Sequence, residues 1–151
     1  MRILAVDWGE RRIGLAVSDI GGVIATPLPT LTGVRRAEAV ARVAAAAARC
    51  EAERIVVGLP LLLSGERGEA AVAAETFAAA LRERTGMRVD TYDERLTSAL
   101  SRRRLQERGV RTGHDKSRVD AGAAVALLES YLQRLAGGGP GGRPGGSDGA
   151  P

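Results

Sequence analysis

The 151 residues hold one cysteine, one histidine and one lysine, and each scarcity removes a class of chemistry. Cys50 has no second cysteine with which to form an internal disulfide, and His114 is its only possible imidazole partner for a thiol nucleophile. Cys50 therefore reads as a small packed residue late in an alanine-rich helix. His114 has no neighbours at zinc-ligand spacing, so it reads as a loop or phosphate-contacting residue. The chain has no run of about 18 apolar residues, the length a membrane-spanning helix needs. An N-terminal signal peptide is also missing, and the expectation is a soluble, cytoplasmic protein with no membrane partner. Of 22 basic residues 21 are Arg, and the exception, Lys116, goes against the composition in a way that suggests a specific role.

What is abundant is unevenly distributed. Residues 137–149 carry 8 of the 20 glycines and almost no apolar surface to offset the entropy of ordering them. Residues 136–151 thus read as a flexible Gly/Pro-rich tail on a domain spanning residues 1–135. The net charge is +4, yet residues 95–118 alone carry eight Arg or Lys against Glu107 and Asp115, a local net of +6. Everything else sums to −2, so basicity belongs to one region, as expected of a footprint on a phosphate backbone. A solvated arginine-rich helix face is the competing reading.

Apolar periodicity predicts strands over residues 2–7 and 12–18 and a short third strand over 23–26, ended by Pro27 and Pro29. A helix is predicted over 34–50, with Ala37, Val40, Ala41, Ala44, Ala47 and Ala48 on one face. A strand over 54–60 follows, then a helix over 69–85 with Ala70, Ala73, Ala74, Phe77 and Leu81 on one side and Gly86 as its stop. A strand over 87–92 delivers Asp93-Glu94-Arg95, and a basic helix is expected over 97–108. The last helix, over 118–135, takes Ser117 as N-cap and presents Val119, Ala123, Ala126, Leu127, Ser130 and Tyr131 together. Three hairpin strands followed by helix-connected strands imply an α/β fold with a mixed sheet covered on both faces.

Asp7 stands at the end of the apolar run Ile3-Leu4-Ala5-Val6, where a charge is costly to bury unless it is paired or coordinated. Glu94 follows the last predicted strand and Asp120 lies in the first turn of the last helix. If the strands bearing Asp7 and Glu94 run parallel, both carboxylates gather beyond their carboxyl ends. Hard divalent cations take such oxygen ligands, and two ions held by carboxylates can activate water and neutralise the charge of phosphodiester cleavage. Each residue also has a plainer reading. Asp7 could initiate a turn, Asp120 could belong to a capping box with Ser117, and Glu94 could pair with Arg95 at the surface. Glu66, after the preceding strand, is a rival third ligand.

The blocks from Asp7-Trp8-Gly9-Glu10-Arg11-Arg12-Ile13-Gly14 through Asp19, Val57-Gly58-Leu59-Pro60, Asp93-Glu94-Arg95-Leu96-Thr97, and Val119-Asp120 with Ser130-Tyr131-Leu132 resemble, in order, those of the YqgF/RuvX family. That family is associated with pre-16S ribosomal RNA cleavage and Holliday junction resolution. The resemblance implies a ribonuclease H-like fold with a five-stranded mixed sheet, three strands antiparallel and then two connected by helices. It also implies that Asp7, Glu94 and Asp120 form the catalytic, metal-binding set for Mg²⁺ or Mn²⁺, with Asp7 bridging both ions. Arg12, Arg95, Lys116 and Arg118 are then expected to contact phosphates near the cut. Two features depart from the family pattern. Leu61-Leu62-Leu63-Ser64-Gly65 replaces a polar loop, and the basic run before Asp120 is thinned to Lys116-Ser117-Arg118.

The resulting expectation is a metal-dependent nuclease acting on structured nucleic acid, as monomer or homodimer. Its substrate would be the 5′ end of pre-16S rRNA or, alternatively, branched DNA as a Holliday junction resolvase. A non-catalytic nucleic-acid-binding module of the same fold is the main rival. An actin-like ATPase also opens with an Asp-x-Gly strand, but it clamps nucleotide between two domains and this chain has residues for one.

Overall fold

Strict alternation of buried faces in the first 18 residues builds the frame of the fold. A computed structural model of the chain describes residues 1–9, 11–62, 64–97 and 116–137, the last segment with side chains from 122 onward. Strands β1 (Ile3–Trp8) and β2 (Arg12–Ser18) form an antiparallel hairpin. Its turn needs Gly9, where a Cβ would stand 2.7 Å from the backbone oxygen of Arg12. Strand β3 (Ala25–Thr32) adds antiparallel to β2, after a turn in which Asp19 Oδ1 accepts the N–H groups of Val23 and Ile24, each at 2.8 Å. These two bonds hold the Asp19 carboxyl below its ordinary pKa.

Helix α1 (Arg36–Arg49) leads to β4 (Arg54–Leu59), which lies parallel to β1. Helix α2 (Glu69–Thr85), stopped by the left-handed Gly86 at φ 72°, leads to β5 (Arg88–Asp93), parallel to β4. The sheet order is β3-β2-β1-β4-β5. A single 3-10 turn, Glu94–Leu96, follows β5, and helix α3 (Lys116–Gly137) is the last element described. The expected basic helix over 97–108 and His114 lie outside the described residues, as does the tail apart from its first two residues, which complete α3.

Leu4, Val6, Ile13, Leu15, Ile55, Val57 and Val89 point to one face, where α1 and α2 cover them with alanines, Val43, Phe77 and Leu81. Ile3, Ala5, Ala16, Val56 and Tyr92 point to the other, where α3 supplies Ala124, Leu127, Leu128, Tyr131 and Leu132. The expected α/β mixed sheet with helices on both faces is therefore observed. Each fully buried Leu, Ile or Val contributes about 1.5–3 kcal/mol. Two such layers can carry the cost of a few buried polar groups.

Three local expectations are corrected. Strand β3 runs through Pro27 and Pro29 to Thr32 instead of ending at them. It is an edge strand bonded only to β2, so a missing N–H on its outer side costs nothing, and the register slips between Ile13 and Leu15, opposite Pro29 and Thr30. The buried face of α1 is Ala39, Val43, Ala46 and Ala47, so of the six expected positions only Ala47 is buried, and α2 likewise buries Ala71 and Ala78 while the expected Ala70 is exposed and Ala73 half-buried. Lastly, α3 begins at Lys116, which puts Ser117 inside the first turn rather than at the cap.

Candidate metal and nucleic-acid site

Asp7 is 9% exposed and Glu94 8%, values at which carboxylates need a reason to be where they are. Asp7 alternates with Ile3 and Ala5 and therefore faces α3, whereas Trp8 turns to the opposite layer. In the antiparallel register Asp7 is opposite Gly14, and in the parallel register Val6 is opposite Val57. One step further along both strands, Asp7 comes alongside Gly58. Asp7 is thus flanked on the α3 face by Gly14 on one side and Gly58 on the other.

Glu94 sits one residue beyond β5, whose Tyr92 pairs with Gly58. Its side chain reaches back over β4, so that a Cβ built on Gly58 would stand 2.5 Å from Glu94 Oε2. The parallel β1-β4-β5 arrangement therefore brings Asp7 and Glu94 to one edge and one face of the sheet, with a side-chain-free strand residue between them. Glu94 is buried, not at the surface where one reading of the sequence put it. Arg95 pairs with Asp93, donating from its backbone N–H at 2.9 Å and from Nη2 at 2.7 Å. Burial raises the Asp93 carboxyl, but those hydrogen bonds from Arg95 outweigh it and hold the group below its ordinary pKa.

The Arg95 guanidinium also lies across Gly65, whose φ of +93° forms the tip of the loop after β4. Glu66, the rival ligand, is exposed in that loop. Arg12 opens β2 two residues before Gly14 and so shares the face of Asp7. Lys116, Arg118 and Asp120 lie in the first turns of α3, and their side chains are outside the described residues. Among the described residues no group of three His, Cys, Asp or Glu comes together.

Polar contacts with the sheet hold α3 around Ser130 and Tyr131. Tyr131 Oη donates to Asp90 Oδ2 at 2.6 Å and accepts from Arg54 Nη1 at 3.1 Å, while Arg88 Nε donates to Asp90 at 3.1 Å. Burial, then the bond to Asp90, pushes the Tyr131 hydroxyl up to about 12. Ser130 Oγ meets Tyr92 Oη at 2.8 Å. Because Ser130 meets Tyr92 and Tyr131 meets Asp90, α3 runs opposite to β5. Its first turns, with Asp120, head back toward the edge where β1 and β5 end, about 16 Å of helix from Tyr131.

The sequence reading missed Gly14, Gly58 and Asp93. The signal for Gly58 was present, since a glycine inside an apolar strand marks close approach by another group. A groove of about 860 Å³ lined by Trp8, Arg36, Val40 and Phe77 lies across the sheet from Asp7, where Trp8 stacks on Phe77 at 4.2 Å and Arg36 sits 5.8 Å above the Trp8 ring. Neither Asp7 nor Glu94 lines it.

The family profile described as "RuvX: Holliday junction resolvase" matches residues 1–134. A protein of Chloroflexus aggregans named "Putative pre-16S rRNA nuclease" is 41% identical over 130 residues, covering 86% of this chain and 92% of its own. One of the same name from Anaeromyxobacter dehalogenans is 43% identical over 138 residues, covering 90% and 99%. Among solved structures, Thermus thermophilus RuvC in complex with a Holliday junction substrate superposes with a TM-score of 0.60 at 17% identity, covering 91% of this chain and 97% of that one. That likeness is one of fold, the expected ribonuclease H-like α/β sheet. Matched over residues 1–134 by the profile and at about 40% identity by such relatives, the chain belongs to the RuvX (YqgF) family.

Proposed function

We propose that this chain is a divalent-metal-dependent nuclease that hydrolyses phosphodiester bonds in structured nucleic acid, acting on the 5′ end of pre-16S rRNA in the cytoplasm. The observation that carries the reading is the pair of buried carboxylates, Asp7 and Glu94, on either side of a bare strand residue in a member of this family. The donor set fits hard divalent cations, being all carboxylate oxygen with space cleared around it by Gly14 and Gly58. Asp7, Glu94 and Asp120 would hold Mg²⁺ or Mn²⁺. When bound, such ions lower the pKa of an attacking water and neutralise the charge that develops on phosphate.

The chain's own cations orient the polymer. Arg12 shares the face of Asp7, and the guanidinium of Arg95, held by Asp93, is directed over the loop at Gly65. With Lys116 and Arg118 they supply phosphate contacts around the cut. The RNA substrate is favoured by the names of relatives that match over most of their own length.

A second reading, resolution of four-way DNA junctions, is favoured by the family's description. It requires two coordinated cuts and hence a symmetric dimer, whereas trimming RNA requires one active site. The test incubates the purified chain with end-labelled precursor rRNA and with a synthetic four-way junction, in Mg²⁺, in Mn²⁺ and in EDTA, alongside its solution mass. The proposal expects metal-dependent cuts in the RNA. Paired symmetric cuts in the junction by a dimer would favour the second reading, and salt-sensitive binding without any cleavage would contradict both.

A further inference from the structure

Gly58 stands in the middle of the site with no backbone reason to be glycine. The glycines with positive φ among the described residues are Gly22, Gly33, Gly65 and Gly86, so Gly58 has backbone angles open to any residue. It is buried within β4, an inner strand of the sheet, and pairs with Tyr92 of β5, a position where glycine is less stable than a residue with a side chain. What excludes a side chain is Glu94. A Cβ at position 58 would lie 2.5 Å from Glu94 Oε2, 3.2 Å from its Cγ and 3.3 Å from its Cδ. At Gly9, by contrast, the obstacle is backbone, the carbonyl of Arg12.

We infer that Gly58 is a positioning residue for the Glu94 carboxylate: the missing Cβ is the seat on which that carboxylate lies to share the α3 face with Asp7. The inference rests on the reading of Asp7 and Glu94 as metal ligands. Alanine at 58 displaces Glu94 Oε2 by about 0.9 Å to reach an ordinary contact distance of 3.4 Å. Misplacement of a catalytic group by about 1 Å can lower rate on the order of 100-fold. The displaced atoms end a flexible side chain, so the fold can accommodate the change while the ligand geometry cannot.

The experiment measures Mn²⁺ binding without nucleic acid, by the EPR signal of free Mn²⁺, together with thermal melting. It uses the full chain and the variants Gly58→Ala, Glu94→Ala and the double variant. Gly58→Ala is expected to bind Mn²⁺ at least about tenfold more weakly, with melting unchanged or raised. On the Glu94→Ala background the same substitution should have no further effect, because the colliding atoms are gone. In cleavage, kcat should fall while KM for the nucleic acid stays put.

Parent-like Mn²⁺ affinity in Gly58→Ala would overturn the inference and leave the nuclease reading intact. An equal loss on both backgrounds would overturn it too, since the effect would not run through Glu94. If Gly58→Ala alone fails to fold, the double variant decides: recovery of folding supports the collision with Glu94, and continued failure contradicts it. A parent chain that binds no Mn²⁺ would overturn the metal reading and the inference together.

Discussion

Tyr131 and Asp93 show how single side chains set the pH limits of this molecule. The Tyr131 hydroxyl, buried and donating to Asp90, titrates at about 12, above the unfolded value near 10. The folded state therefore keeps a proton that the unfolded chain has lost, and stability present below pH 10 declines as pH rises toward 12. With 21 of 22 basic residues Arg, few other groups titrate there. Tyr131→Phe, compared in a Cys50→Ala background to remove the raised thiol, should flatten the urea midpoint between pH 10 and 12 and cost about 1–3 kcal/mol at neutral pH. Asp93 has the opposite sign. Its carboxyl is depressed by Arg95, so its contribution is present above about pH 4 and is lost as pH falls through the lowered value. Both partners are partly exposed, so Asp93→Asn should cost below about 1 kcal/mol at pH 7 and should weaken the acid-side decline, as read from urea midpoints at pH 2 to 7.

At the scale of elements, β1 is joined to α2 by the stack of Trp8 on Phe77, and the residue before Trp8 is Asp7. Phe77→Ala leaves a cavity under Trp8 and should destabilise the chain by about 3–5 kcal/mol. Since Trp8 is the only tryptophan, its emission reports that change directly, and a parent-like emission and urea midpoint would contradict the packing described. Elements were readable in the sequence where the pattern was distinctive: β1, β2, β4, α2 and the stop at Gly86 follow from alternation, heptad-like spacing and a left-handed glycine. Helix α1 was readable as a helix but not in its buried face, because alanine at nearly every position blurs the period. Strand β3 was cut short because proline argues against strand locally, and only the topology reveals that this strand is an edge. The acidic pair was legible as residue types at strand ends. The roles of Gly14 and Gly58 were not, because they depend on the parallel register of β1 with β4 and on where Glu94 reaches.

For the whole molecule, the sheet gathers Asp7, Glu94 and Arg12 at one edge, and α3, pinned at its far end by Tyr131, directs its first turns toward the same edge. Among the described residues no helix is long and apolar enough to cross a membrane. The basic stretch over 95–118 lies mostly outside the described residues, yet its net of +6 predicts a strongly salt-dependent affinity for nucleic acid. Each phosphate neutralised on duplex adds about −0.9 to the slope of log affinity against log salt, and about −0.7 on single strands. Replacing Arg95 and Arg118 by Gln should lower that slope by about one to two, measured by fluorescence anisotropy in EDTA. The central claim is that Asp7 acts as a ligand for divalent metal in a nuclease. Its most direct test is the cleavage rate of Asp7→Asn against the parent, in saturating Mg²⁺ or Mn²⁺ and on the same nucleic acid. A neutral amide of the same shape should reduce the rate at least about 100-fold, equivalent to about 2.7 kcal/mol of barrier, with melting showing a folded protein. Equal rates for the two would contradict the account.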